Sequence, residues 1–122
     1  MGVFLRGVRA MTKQDNLGEF EQLTLLAVLR LGDEAYGARI REDLKDQAGR
    51  KASVSSIYIT LTRLEAKGMV SSWMGTPTQV RGGKARRFFS VEPAGMTALS
   101  QARERLLAMW DGVQVSSEGG RP

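Results

Sequence analysis

Between Ser53 and Val91 the apolar spacing switches from a helical period to a strand period, and that switch restricts the fold more than any other feature of the sequence. Placed at intervals of about 100°, Val54, Ile57, Leu61 and Leu64 share one stripe. Ser55, Ile59, Thr62, Arg63 and Ala66 fall opposite, with Ser56 beside them. Ser53 is placed to cap a helix over Val54–Lys67, and Gly68 to close it. Met69–Met74 then alternates as a strand, and Arg87–Val91 reads as a second one. Gly75–Ala85 between them holds Pro77, Gly82 and Gly83, so it is the loop of a hairpin with a long tip. The same segment carries Arg63, Lys67, Arg81, Lys84, Arg86 and Arg87 against one acid, Glu65. Its net charge equals the formal +5 of the whole chain.

The remaining elements must cover this unit. A first helix is expected over Leu17–Leu31, where Leu23, Leu25, Leu26, Ala27, Val28, Leu29 and Leu31 leave almost no polar side. Such a helix has to be covered on more than one face. The domain core takes one face, and either the C-terminal helix or a second subunit takes the other. Gly32-Asp33 ends that helix. A second helix over Tyr36–Gln47 turns Ile40 and Leu44 inward, and Ala48-Gly49-Arg50-Lys51 is a basic turn. Glu92-Pro93 opens the last helix, with proline accommodated in the first turn. There Leu99, Leu106 and Val113 recur at heptad spacing, with Ala102 and Met109 between them and Trp110 near the seam. Two heptads are too few for a coiled coil, but the spacing suits a helix that packs on a partner helix. Leu99, Ala102, Leu106, Met109, Trp110 and Val113 are therefore the expected dimer interface. The organisation expected is a flexible segment over 1–15, a body over 16–91, a C-terminal dimerisation helix over 92–115 and a flexible tail over 116–122. Met11 is an alternative natural start.

Composition removes most chemistry. A chain of 122 residues with 42% hydrophobic content supports one domain with a core. It has no cysteine, which excludes disulfides and thiolate metal sites, and no histidine, the commonest general base and metal ligand. No pair of carboxylates, lysines or hydroxyls clusters to replace them. No catalytic residue, metal or cofactor is expected, and the chain is not read as an enzyme. The opening MGVFLRGVRAM is too short and too interrupted by arginine for a signal peptide, and no stretch is long enough for a membrane span. A cytoplasmic protein with no membrane partner is expected.

The fold class expected is mainly α (α+β): a winged helix-turn-helix followed by a C-terminal dimerisation helix. A helix followed by a basic hairpin is suited to double-stranded DNA, the helix entering the major groove and the hairpin lying along the phosphates. The outward face of the third helix offers hydroxyls that fit phosphate oxygens near a helix N-terminus. Ile59, apolar on that polar face, fits a thymine methyl. In RGGKARRFF the bases flank a glycine pair that lets the backbone approach a phosphate. Phe88 and Phe89 point to opposite faces, so at most one belongs to the core. The rival reading from the same charge is a protein-interaction module whose basic face meets an acidic partner.

Three stretches together carry a resemblance: LLAVLRLGDEAYGARI from Leu25 to Ile40, SSIYITLTRLEAKGMVSS from Ser55 to Ser72, and GGKARRFFSVEPAG from Gly82 to Gly95. The chain resembles the PadR-like family of bacterial transcriptional regulators over about Leu17 to Leu107. The resemblance implies a winged helix-turn-helix, a homodimer through the C-terminal helix, and repression near promoters on a pseudo-palindromic operator. It implies that the Tyr58 hydroxyl touches the DNA backbone. It further implies that Ser53, Ser55, Ser56 and Thr60 line the recognition helix and that Lys84, Arg86 and Arg87 sit on the wing. Some short members of the family bind small aromatics at the dimer interface, so the resemblance leaves room for a small aromatic effector as a partner. Many members have proline where Val54 and Ile59 stand here, so the resemblance carries the fold and not the base specificity.

Overall fold

A computed structural model describes residues 16–76 and 85–115. Its elements, in chain order, are α1 (Glu19–Leu31), a 3-10 turn (Gly32–Glu34), α2 (Gly37–Ala48), α3 (Val54–Ala66), β1 (Val70–Met74), β2 (Arg87–Val91) and α4 (Pro93–Trp110). The tip of the hairpin, with Arg81, Gly82, Gly83 and Lys84, lies outside the described residues, as do the segments 1–15 and 116–122 expected to be flexible.

Local chemistry sets the ends of these helices. Gly32 takes φ 56° after α1, and Gly68 takes φ 77° after α3. A side chain would strain both positions, and glycine removes that penalty. Ser53 Oγ accepts the Ser56 amide at 3.0 Å, which caps α3 as its sequence implies. At the start of α1, the Glu21 carboxylate accepts the Gly18 amide at 2.9 Å.

The helical periods resolve as burial. Ile57, Leu61 and Leu64 of α3 are fully buried, and Ile40 and Leu44 of α2 meet them. α1 supplies Leu25, Ala27 and Val28 to the same core. The Arg30 guanidinium donates to the Asp43 carboxylate at 2.9 Å, which ties α1 to α2, and this hydrogen bond raises the Arg30 pKa above its ordinary value. This pair is exposed and adds little to stability.

β1 and β2 are antiparallel, with Val70 opposite Val91, Ser72 opposite Phe89, Trp73 opposite Phe88 and Met74 opposite Arg87. Only Phe89 of the two phenylalanines is core; Phe88 lies on the other face of the sheet. Tyr36 bridges to Phe88, and the Phe89 amide donates to the Ala35 carbonyl at 3.0 Å. Tyr36, just before α2, thus makes an isolated β-bridge to β2, which ties the hairpin to the helix-turn-helix.

α4 departs from expectation at its end. The helix stops at Trp110, followed by a turn with Gly112 at φ 79°, so Val113 is not on it. The heptad pattern runs past the helix because an Asp-Gly pair breaks the backbone, which the apolar spacing does not report. Leu99 and Ala102, both expected at a subunit seam, are covered by their own protomer. They use the first half of α4 to pack on the domain. Beyond Ala102 the helix stands away from the body, and Leu106, Leu107, Met109 and Trp110 are exposed.

Candidate nucleic-acid interface

Because one stripe of α3 is fully buried, the opposite stripe is necessarily presented outward. Ser53, Ser55, Ser56, Ile59, Thr62 and Arg63 are all exposed. Ile59 is 62% exposed and belongs to no part of the core. Thr60 is a correction: it is only 4% exposed and turns inward with Ile57 and Leu61, so it does not belong to the outward face. Arg63 sits toward the C-terminal end of α3, where Glu21 of α1 draws it to 3.9 Å and also holds Lys67 at 3.7 Å. Neither ion pair is close, and Arg63 keeps more than half its surface in water.

Tyr58 lies between core and surface. Its ring packs on Phe89 with centroids 5.9 Å apart, and its hydroxyl makes no hydrogen bond among the described residues. Gly37 makes room for it: a Cβ at that position would come within 3.0 Å of the Tyr58 oxygen. The side chain is therefore packed at the ring, while its hydroxyl is left without a hydrogen bond among the described residues, an arrangement that suits a polar contact with an outside oxygen.

The described base of the wing places its two arginines on opposite faces. Arg87 donates to Ser72 Oγ at 2.8 Å, and Ser72 in turn donates to the Glu65 carboxylate at 3.0 Å. That chain holds Arg87 against α3. Arg86 lies over the Tyr36 ring at 4.3 Å, and Tyr36 meets Phe88 edge-on, with Trp73 stacked on Phe88 from the neighbouring strand. An arginine on an aromatic face keeps its charge and its donors while losing freedom of the side chain. Lys84, the third expected wing cation, is outside the described residues.

Sequence reasoning missed the support for Arg86. Tyr36 reads as one of several scattered aromatics, and fifty residues separate it from its partner. The pairing of Trp73 with Phe88 was available in principle, since the hairpin register puts them opposite each other. The bridge from Tyr36 to β2 is a tertiary contact with no signal in the local pattern.

The other half of the molecule offers a largely apolar groove, with Gln22, Ser100 and Arg103 as its polar lining. Leu26 and Leu29 of α1 face Met96, Leu106, Leu107 and Trp110 of α4 across an apolar groove of about 570 Å³. This is the second face of α1 that the sequence leaves without cover. Leu99 forms part of its wall, and Met109, Trp110 and Val113 border a smaller recess beside it.

Comparison with known proteins places these features. A transcriptional regulator of Mycobacterium tuberculosis is 36% identical over 74 residues, which are 61% of this chain and 64% of that protein. The chain thus spans less than two thirds of this relative. A PadR-like transcription factor from Bacteroides fragilis superposes with a TM-score of 0.62 at 23% identity, covering 86% of this chain and 93% of the other. Bacillus subtilis PadR, solved in complex with operator DNA, superposes with a TM-score of 0.55 at 21% identity, over 67% of this chain and 46% of its own. These two structures share the winged-helix fold. The model of the transcriptional regulator PadR-like family matches residues 25–101, which run from α1 through the wing into α4, and the chain belongs to that family of transcriptional regulators.

Proposed function

We infer that the protein is a homodimeric repressor that binds a pseudo-palindromic operator, with α3 as its recognition helix. One observation carries the reading: the outward face of α3 is open along its length, while the wing beside it carries an arginine fixed on an aromatic ring. A helix used only for packing has no need of an exposed isoleucine flanked by the exposed hydroxyls of Ser55 and Thr62. The wing cations neutralise phosphates, and the α3 face meets base edges. That Bacillus subtilis PadR was solved with operator DNA supports this reading for a chain of the same fold. The dimer is supported by the groove between α1 and α4, which a second α4 would fill in a two-fold arrangement. Repression follows from occupying a promoter site, and the location is the cytoplasm, where that DNA is.

Selection from a pool of random duplexes tests the reading. The expected result is a palindromic consensus whose half-sites are about one helical turn, roughly 34 Å, apart. Enrichment of a single half-site would remove the dimeric part. No enrichment, with binding competed by an acidic polypeptide, would favour the protein-interaction reading. Transcription from a template bearing the consensus should fall when the protein is added.

Ile59 gives a sharper test. Packing on a neighbouring helix is excluded by its exposure, so Ile59→Ser should leave the melting temperature nearly unchanged. Operator affinity should fall by on the order of 1 kcal/mol. Preference for thymine over uracil at one position should disappear with it, because only thymine has the methyl group. If the parent shows no such preference, or the variant keeps it, Ile59 does not read a methyl.

A further inference from the structure

A second set of cations converges away from the wing. Arg41 and Lys45 of α2, with Lys51 and Ala52 of the turn into α3, line a groove of about 270 Å³. No carboxylate among the described residues lines it. Among the described residues, none of the three cations has an ion pair or hydrogen-bond partner, whereas Arg30, Arg39, Arg50, Arg63 and Lys67 are all paired.

The surrounding helix explains why they stay unpaired. Arg41 and Lys45 are four residues apart and so share one flank of α2. Exposed Ala38 and Ala48 continue that flank at either end, and their short side chains leave it flat. The acids of α2 are directed elsewhere. Asp43 is on the far flank, bonded to Arg30 of α1, and Glu42 is bonded to Arg39. Asp46 lies about 100° around the helix from Lys45, the rotation of one residue. The chain from 14 to 52 is acidic in sum, so its basic face is invisible in the count and visible only in the fold.

We propose that Arg41, Lys45 and Lys51 form a phosphate clamp that grips the DNA backbone beside the major groove entered by α3. The clamp rests on the DNA reading given above and extends it. Lys51 and Ala52 lead directly into the Ser53 cap of α3, so a groove at that point lies at the start of the recognition helix. In a helix-turn-helix the first helix crosses the backbone while the second enters the groove, and this flank of α2 is the surface that would cross it. The clamp and the wing then hold phosphates at two separate places and fix the register of α3 between them. Three exposed cations without partners add nothing to the fold, but each neutralises one phosphate when a duplex binds.

The test compares the parent with Arg41→Ala/Lys45→Ala/Lys51→Ala on the selected operator. All three side chains are exposed, and the melting temperature is expected to hold. Should the triple variant melt early, the single change Lys45→Glu carries the same comparison. The salt slope of binding should flatten by up to about three units, so between 50 and 200 mM salt the parent should lose about 40-fold more affinity than the variant. Phosphate-ethylation interference should vanish at one cluster of positions per half-site and persist at those of the wing. Arg86→Ala should give the complementary pattern. An unchanged slope and interference map in a variant whose parent binds the operator would overturn the clamp and leave the DNA reading standing. A parent that binds no duplex would overturn both. Inorganic pyrophosphate, matched for ionic strength with chloride, should displace no duplex; displacement from the parent alone would make this a small-anion site and reject the clamp.

Discussion

Leu106→Asp should convert the protein from a dimer to a monomer at micromolar concentration and reduce operator binding to the level of a single half-site. Leu106 is 55% exposed in the protomer and lines the groove between α1 and α4 with Leu26 and Leu29. A cluster of large apolar residues around such a groove is more than a small domain leaves open without a partner. Fully burying a leucine contributes roughly 1.5–3 kcal/mol, and a two-fold interface counts each position twice. Replacing both copies with a charge that has no partner should therefore weaken dimerisation by about 10³-fold or more. Because the residue is exposed in the protomer, the monomer should stay folded, which circular dichroism would show. Sedimentation velocity gives the assembly state directly. A Leu106→Asp protein that still sediments as a dimer would place the interface elsewhere, and a parent that sediments as a monomer would remove the dimer altogether.

The sequence made the helix and hairpin between Ser53 and Val91 legible because their signals are local. A stripe at helical period, a capping serine, a closing glycine and two short alternating runs each act within a few residues, and the structure places α3, β1 and β2 where they indicate. Thr60 was misplaced because resemblance overrode the period. It lies about 60° from Ile57 on the helix, inside the buried stripe, and the wheel alone would have turned it inward. The end of α4 failed for a different reason. Heptad spacing records where apolar side chains recur, not whether the backbone stays helical, and the turn at Asp111-Gly112 interrupts it. Spacing also cannot tell packing on α1 from packing on another subunit: Leu99 and Ala102 are covered within their own protomer, and Leu99 still borders the groove. The support of Arg86 by Tyr36 and the grouping of Arg41, Lys45 and Lys51 depend on which flank of one element meets another. No local pattern encodes that.

Gly95→Ala should lower the melting temperature by several degrees, although alanine is the better helix former. Gly95 is in the first turn of α4 and is buried. A Cβ there would collide with the Met69 carbonyl oxygen and come within 2.8 Å of Val91 Cγ1. The Met69 carbonyl also accepts the Glu92 amide at 2.8 Å, so the obstacle is backbone already fixed by a hydrogen bond. The helix must move away from the sheet. Overpacking of this kind costs about 1–3 kcal/mol, against a gain of up to about 1 kcal/mol from helix propensity. In a domain of this size each net kcal/mol corresponds to about 4–8 °C. Gly75→Ala is the informative control. Its Cβ would meet the ring of Phe88 at 2.5 Å, but that half-buried ring, packed between Tyr36 and Trp73, is a side chain and can shift further than a hydrogen-bonded carbonyl can. The Gly75 variant should therefore melt closer to the parent than the Gly95 variant. The displacement at Gly95 also has a functional consequence, because α4 carries Leu106 and Trp110 at its far end. A small tilt at the first turn grows along a helix of 18 residues, and in the proposed dimer it would shift the two copies of α3 relative to each other. Operator affinity should fall in the Gly95 variant even at temperatures where it is fully folded, while binding to an isolated half-site is retained. Equal melting of the Gly95 variant and the parent would show that α4 does not sit on the Met69 carbonyl as closely as the structure has it.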